Sequence, residues 1–350
     1  MNKEQGQNSP KFLTLDIVFY GGGLNYDQGG SNSQELKKIT MYDGSTHILV
    51  SRYAIRYSIL ENASRLGWKL AGRDDFNLSN GKDNETENDS DTSEKSNKSV
   101  IQPTADAVLK YPEFDLFGYM ITTQKNTQKK EKGSTYSRVS PVKISHAISL
   151  TPYNFDSQSL FNLGVTKRAG GIGSDPFTTE EFYGFYVYNI TIDLGRIGVF
   201  DEHEVPTKHE KERNDKKELI NTLLNVIMHL KRDIKGRRED LSPWLVVGGK
   251  YDDSCYDSFV DKIALKKKTE LNTTRGEEHI NDGNKNITKI SYLEEKSNGP
   301  KFAIGNLTDD RDENIRIYAL PNVLVNEKTG DFEDKEKFIK WLLKGVFDGA

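Results

Sequence analysis

The sequence predicts an α+β fold, and three observations carry that prediction. Strand-like alternation recurs along the chain, first as Leu13, Leu15, Ile17 and Phe19 against Thr14, Asp16 and Val18. Two segments carry helical stripes instead, one of Ile55, Ile59 and Leu66, the other of Leu219, Leu223, Val226, Ile227, Leu230 and Ile234. Long Asn-, Ser-, Asp- and Glu-rich stretches interrupt the pattern with no apolar period, which marks insertions.

The first strand runs from Phe12 to Gly23 as a half-buried strand ended by Gly21-Gly22-Gly23. A polar connection through Tyr42-Asp43-Gly44 leads to a helix over residues 51–70, with Ser51 as its N-cap. Residues 73–105 are expected to be a mobile polar insertion. Phe114–Ile121 reads as a buried strand and Lys125–Ser134 as a polar turn. Val142, Ile144, His146, Ile148 and Leu150 then form the apolar register of another strand, a hairpin partner or sheet neighbour of the last, with His146 read as a hydrogen-bonded core histidine. Residues 151–181 are irregular and rich in Pro and Gly. Phe182–Leu194 is a long aromatic strand, and a charged loop from Asp201 to Asp215 precedes the second helix, which Gly236 ends. Trp244–Gly249 is a buried strand, residues 261–313 are a second polar insertion, and Ile315–Val325 is a late strand. Lys335–Phe347 closes the chain as a helix burying Phe338, Trp341, Leu342 and Val346. Without the insertions the order is β–α–β–β–(excursion and long strand)–α–β, that of a ferredoxin-like, RNA-recognition-motif-like palm carrying large insertions. No internal repeat is present.

At 350 residues the chain can hold one large domain or two small ones. A mean hydropathy of −0.70 with 29% charged residues predicts a soluble protein with long polar loops. No apolar run is long enough to span a bilayer and residues 1–10 lack a signal peptide's apolar core, so a cytoplasmic location without a membrane partner is expected. The single cysteine, Cys255, excludes an internal disulfide and a multi-cysteine zinc site. The net charge of −4 is unevenly spread: residues 73–100 hold eight acids and four bases, and the remainder is balanced. A balanced body can still carry a basic stripe.

The candidate chemistry lies in such a stripe. Arg52 and Arg56 are four apart and share one helix face. With Ser51 as N-cap they sit at the positive end of the helix dipole, where cations are unfavourable unless an anion joins them. An arginine pair is also ordinary on a solvated helix face; a phosphate-bearing ligand, most simply a nucleic acid backbone, would make it functional. Lys167-Arg168 forms a basic tip in the glycine-rich excursion. Lys231, Arg232, Lys235, Arg237 and Arg238 crowd the end of the second helix, where cations suit the dipole, and with Lys37, Lys38, Arg52 and Arg56 they can line a groove. Gly21-Gly22-Gly23 lacks the Gly-Lys-Ser/Thr ending of a nucleotide loop, and Gly170-Gly171-Ile172-Gly173 precedes no helix. These glycines serve tight turns, or let backbone amides approach a nucleic acid strand. Cys255 has no glycine elbow. His203 and His209, with Glu202, Glu204 and Glu210, lack the H-E-x-x-H spacing and read as a charge run. No catalytic residue, metal or cofactor is expected.

Taken together, several segments resemble one family: Leu13–Asn25 running into Tyr26, the Asp43-Gly44 turn, Ser51-Arg52-x-x-x-Arg56-Tyr57, Phe117-Gly118-Tyr119-Met120, and Ser140-Pro141-Val142 through Ser149. The family is the DevR-type backbone subunit of CRISPR type I (Cascade) surveillance complexes, with subtype I-B the nearest. The likeness covers most of residues 12–249. It implies a hand-shaped, non-catalytic protein whose copies stack head to tail along one guide RNA, each kinking the guide so that the bases between kinks pair with target DNA.

On this chain the resemblance implies a discontinuous palm (residues 12–72, 106–150 and 182–250), a thumb (151–181), insertions at 73–105 and 261–313 acting as fingers or web, and a C-terminal strand and helix (314–350). Ser51, Arg52 and Arg56 would meet guide phosphates, Gly21, Gly22, Gly23 and Asn25 would line the palm groove, and Lys167 and Arg168 would lie near the RNA. Lys37, Lys38, Arg237 and Arg238 are added by charge alone. The implied partners are guide RNA, target DNA, further copies, and the other Cascade subunits: a guide-end capping subunit, a large subunit and a guide-processing endoribonuclease. Two alternatives stay open. Type III relatives cut target RNA with an aspartate after the first strand, and Asp27 and Asp43 are available here. The DevR name also suits a DNA-binding autoregulator.

Overall fold

The computed structural model describes residues 9–28, 32–78, 101–122, 135–161, 163–168, 170–171, 176–205, 215–266, 275–282, 285–292, 300–307 and 313–347. The expected turn at Lys125–Ser134 and residues 79–100 of the first insertion lie outside these.

In chain order, β1 (Phe12–Gly21) is followed by short strands β2 (Tyr26–Gln28), β3 (Ser33–Leu36), β4 (Lys38–Thr40) and β5 (Thr46–Val50), then by helix α1 (Arg52–Arg65). β6 (Phe76–Leu78) and β7 (Ile101–Pro103) pair with each other, and the short helices α2 (Ala105–Lys110) and α3 (Pro112–Phe117) lead to the paired β8 (Tyr119–Thr122) and β9 (Thr135–Arg138). β10 (Val142–Ile144), β11 (Ala147–Ser149), β12 (Asp156–Leu160), α4 (Leu163–Arg168), β13 (Phe177–Glu181) and the long β14 (Gly184–Asp193) come next. Helix α5 (Lys216–Met228) precedes the hairpin β15 (Lys231–Ile234) and β16 (Arg237–Asp240), then β17 (Leu245–Tyr251). The chain ends with β18 (Ile263–Leu265), β19 (Arg275–Asp282), β20 (Lys285–Tyr292), β21 (Lys301–Ile304), β22 (Ile315–Ala319), β23 (Leu324–Val325) and α6 (Lys335–Leu343).

The main sheet has the order β22-β17-β1-β14-β11-β5-β4, with β10 also on β14, and every neighbouring pair is antiparallel. Leu13, Leu15, Ile17 and Phe19 join a core with Ile55 and Ile59 of α1, Leu219, Leu223 and Ile227 of α5, and Phe338 and Leu342 of α6. The alternation of β1 predicts a solvated second face, yet Thr14, Asp16 and Val18 are buried too. The reason is a second core, in which Val18, Val187, Leu245, Val247 and Ile317 pack against Phe259, Ile263, Phe302 and Ile304. Residues 263–265 and 301–304 are therefore packed parts of the fold, forming the sheet β18-β21-β23, and are not a polar insertion.

Three further expectations are corrected. Phe114–Phe117 is helical: Pro112 takes the first helical position, where its fixed φ and missing N–H cost nothing, and Gly118 at φ 73° ends the turn before β8 begins. The Val142–Leu150 strand is broken by an extra residue. Ile144 pairs with Ile190 but Ile148 with Val187, so four steps face three, and the bulge reverses which side chains point inward. His146 is consequently exposed, not in the core, while Ala147 and Ser149 are buried. Both strands pair with β14, not with Tyr119–Thr122, which instead pairs with β9. The described residues of 151–181 are not irregular throughout: β12 pairs with β13, β13 with β3 and β3 with β2, which folds this part of the excursion back on residues 26–36.

Candidate nucleic-acid interface

The glycine-rich turn after β1 is clasped between α1 and the β15–β16 hairpin. Gly21, Gly22 and Gly23 are buried, and none has positive φ, so close approach is what requires them. A Cβ at Gly22 would stand 2.8 Å from the Tyr183 ring, and one at Gly23 would strike the Tyr26 hydroxyl. Gly22 O accepts from the Tyr186 hydroxyl at 3.0 Å. Gly22 and Gly23 are thus packed by tyrosines and Gly21 by Leu24, and the three do not form an open phosphate cradle. Asn25 links this turn to the helix: its Oδ1 accepts from Ser51 N at 2.8 Å, and its carbonyl accepts from Lys37 N at 3.0 Å.

Ser51 caps α1 as expected, with its hydroxyl accepting from Ala54 N at 3.2 Å, and no acid stands in the first turn. His146 supplies a second cap, its Nδ1 accepting from Arg52 N at 3.1 Å. Arg52 is exposed, lies over the Tyr53 ring at 5.0 Å and donates to its hydroxyl at 3.1 Å. Arg56 is half-buried over the Phe117 ring at 5.1 Å; burial pulls its pKa down, while the charge of Glu113 acts the other way. Among the described residues neither arginine has a carboxylate within ion-pair distance.

The other basic residues are mostly occupied. Lys231 to Arg238 do not continue a helix: α5 stops at Met228, and Lys235 and Gly236, at φ 48° and 73°, make the two-residue turn of a hairpin. Arg232 donates to Leu24 O at 3.0 Å, Ala54 O at 3.2 Å and Ser58 Oγ at 3.0 Å. Arg237 donates to Gly23 O at 3.3 Å and the Tyr183 hydroxyl at 3.1 Å and pairs with Glu181 at 3.4 Å. Lys235 donates to Thr179 Oγ1 at 2.9 Å with its ammonium above the Tyr26 ring. Arg238 is exposed, 3.9 Å from Asp233. Lys37 pairs with Asp27, and Lys38 with the buried Glu180 at 2.8 Å. Lys167 and Arg168 are exposed on α4. The fold therefore brings Gly21–Asn25, Ser51, Arg52, Arg56 and Arg237 into one connected region and puts Lys167 and Arg168 on a separate element.

A family model described as CRISPR-associated negative auto-regulator DevR/Csa2 matches residues 13–272. The chain belongs to the DevR/Csa2 family. Its fold is shared with a chain of a solved CRISPR RNA-guided surveillance complex, described as pre-nicking, at a TM-score of 0.51 and 13% identity over 96% of this chain and 100% of that one. A chain of another CRISPR RNA-guided surveillance complex aligns at a TM-score of 0.43 and 15% identity, covering 72% of this chain and 73% of its own. No curated protein matches the chain.

Within this DevR/Csa2 member, residue-by-residue reading missed the roles of His146 and Arg232. His146 was hidden by the bulge. Arg232 gives no local signal of its inward role, because its acceptors Leu24, Ala54 and Ser58 lie far from it in sequence. Among the described residues no cluster of three or more metal-ligating side chains occurs; Glu204 is taken up by Arg138 and Arg196, and His209 and Glu210 lie outside the described residues.

Proposed function

We propose that this chain is a non-catalytic, guide-RNA-binding backbone subunit of a Cascade-type CRISPR surveillance complex. Copies stack head to tail along the guide, each holding its phosphates, and the bases left free pair with target DNA. The capping, large and guide-processing subunits would complete the complex. In this reading the strands β17, β1, β14 and β11, backed by α1 and α5, act as an RNA-recognition-motif-like palm, and residues 151–181 act as a thumb.

One observation carries the reading: Arg52 and Arg56 stand on one face at the positive end of α1, with no acid in the first turn and no carboxylate paired to either among the described residues. A sequence-independent grip needs phosphate contacts of this kind and no base readout. Replacing both by Ala should weaken binding of guide-length RNA and flatten its salt dependence. The expected fall in slope is about 0.7 per phosphate, so about 1.4 for the pair. Arg52→Ala alone, at an exposed position, should give about half of that with the fold intact by circular dichroism. An unchanged slope in both variants would refute the assignment.

The family description favours a second reading, a negative autoregulator, for which tight binding of promoter duplex without RNA would be required. The RNA-cutting alternative has less support: Asp27 is paired with Lys37, and Asp43 accepts from Ser45 N and its hydroxyl at 2.9 and 2.6 Å.

A further inference from the structure

The outer face of α1 carries a second row of side chains beside the arginines. Tyr53 is 63% exposed and Tyr57 61%, one turn apart. Each residue turns the helix by about 100°, so positions 53 and 57 form a row parallel to 52 and 56. A single exposed aromatic is ordinary. Two on successive turns, next to two arginines without carboxylate partners among the described residues, are a combined apolar and cationic face. Tyrosine is a mediocre helix former, so α1 gains nothing from them as a helix. The opposite side of α1, with Ile55, Ile59 and Ala63, is fully committed to the core.

Single-stranded nucleic acid fits this face: cations track its phosphates, and aromatic rings take its bases. Spacing narrows the choice further. Four helical residues rise about 6 Å, nearly twice the roughly 3.4 Å between stacked nucleotides. Neighbouring bases reach both rings only when they are unstacked from each other, which a duplex does not allow. Arg52 fixes one edge of the site by donating to the Tyr53 hydroxyl at 3.1 Å. We propose that Tyr53 and Tyr57 are a stacking platform for unpaired bases of the RNA strand whose phosphates Arg52 and Arg56 hold. This rests on the RNA-gripping function proposed above and adds to it: the subunit selects single-stranded over double-stranded RNA on α1 itself.

The test uses the full chain with single-stranded RNA, an abasic RNA of equal length, and an RNA duplex, across a salt series. Tyr53→Leu with Tyr57→Leu should bind intact RNA roughly tenfold or more weakly, since a stacked base contributes about 1–3 kcal/mol, with the salt slope unchanged. Abasic RNA should bind wild type and this variant alike, and Tyr53→Phe with Tyr57→Phe should restore intact-RNA binding. Wild type should prefer single strand to duplex, and the Leu variant should lose that preference. Equal binding of intact RNA by wild type and the Leu variant, with the steep salt dependence kept, would overturn the platform and leave the phosphate grip standing. Equal losses on intact and abasic RNA would also overturn it, as a general disturbance of the helix. A wild-type protein indifferent to RNA at low salt would remove the underlying function as well.

Discussion

Arg138 is 3% exposed, and its guanidinium is enclosed by acceptors. It donates to Asp115 Oδ1 at 2.7 Å, Glu204 Oε2 at 2.6 Å, Val199 O at 2.8 Å and Asp115 O at 3.0 Å, with the Phe200 ring 4.2 Å from its carbon. Asp115 in turn accepts from Gly198 N at 3.0 Å. This node fastens α3, β9 and the 196–204 segment together. Arg138→Met removes the cation that the two buried carboxylates share, leaving Asp115 with Gly198 N and Glu204 with Arg196, a loss of about 3–5 kcal/mol, to be read as a fall in the urea midpoint. RNA affinity of the folded fraction should not change. A second buried carboxylate behaves differently. Asp16 accepts from Phe259 N at 2.8 Å, Asn189 Nδ2 at 2.8 Å and Ser258 Oγ at 3.2 Å, but burial outweighs these bonds and raises its pKa. The folded state therefore holds a proton that the unfolded chain has already released, and stability falls as pH rises from the ordinary value of 3.8 through the raised one. Asp16→Asn lacks this titration, so across that window the stability difference between variant and wild type should move steadily in the variant's favour. A constant difference would mean that Asp16 titrates normally. Neither residue announces itself in the sequence, because Arg138 meets acids 23 and 66 positions away and Asp16 is covered by residues more than 240 positions downstream.

Among the elements, the β15–β16 hairpin has the most consequence for the candidate interface. Through Arg232 and Arg237 it holds the carbonyls of Leu24 and Gly23, and Asn25 next to them holds the start of α1. Gly236 is at φ 73° with nothing within 4 Å of a Cβ, so Gly236→Val is penalised by backbone conformation alone, by roughly 1–2 kcal/mol. The expected outcome is faster amide exchange over residues 21–25 and weaker RNA binding with an unchanged salt slope. A reduced slope would mean that the hairpin itself touches phosphates. Elements with one consistent period were legible in the sequence: β1, α1 with its Ser51 cap, β14, β17 and α6. Those missed had a local signal that competed with the apolar pattern. Pro112 and Gly118 bracket a helix whose Phe114, Leu116 and Phe117 look strand-like, one extra residue near His146 reverses the strand's faces, and Leu230 and Ile234 continue the helical stripe of α5 into a hairpin by coincidence. Within the candidate site, the cap and the arginine pair were readable because they are local. The occupation of Lys38, Arg232 and Arg237 was not, because Glu180, Leu24 and Gly23 reach them through the tertiary fold.

For the whole molecule, the proposed function sets a requirement on symmetry. A surface that is not self-complementary closes no dimer; repeated along a strand, it builds an open row whose length the strand limits. The molecule has the asymmetry this needs. The arginine–tyrosine face belongs to α1, the basic tip Lys167-Arg168 belongs to α4, and the edge strand β12 leaves all five of its residues exposed. An exposed edge with unpaired backbone groups is a liability in a lone monomer and an asset in a row of copies. On guides of increasing length, native mass measurement should therefore show added mass in steps of one 39.7-kDa subunit at a fixed nucleotide interval. Lys167→Ala with Arg168→Ala should spare binding to an RNA long enough for one copy yet lower occupancy on longer guides, because a thumb contact counts only where a neighbour shares the strand. The arginine pair of α1 should behave oppositely, with its loss felt at every length. A fixed stoichiometry on all guides, such as two copies regardless of length, would mean an isologous interface. The head-to-tail row would then be wrong even if each subunit grips RNA through α1.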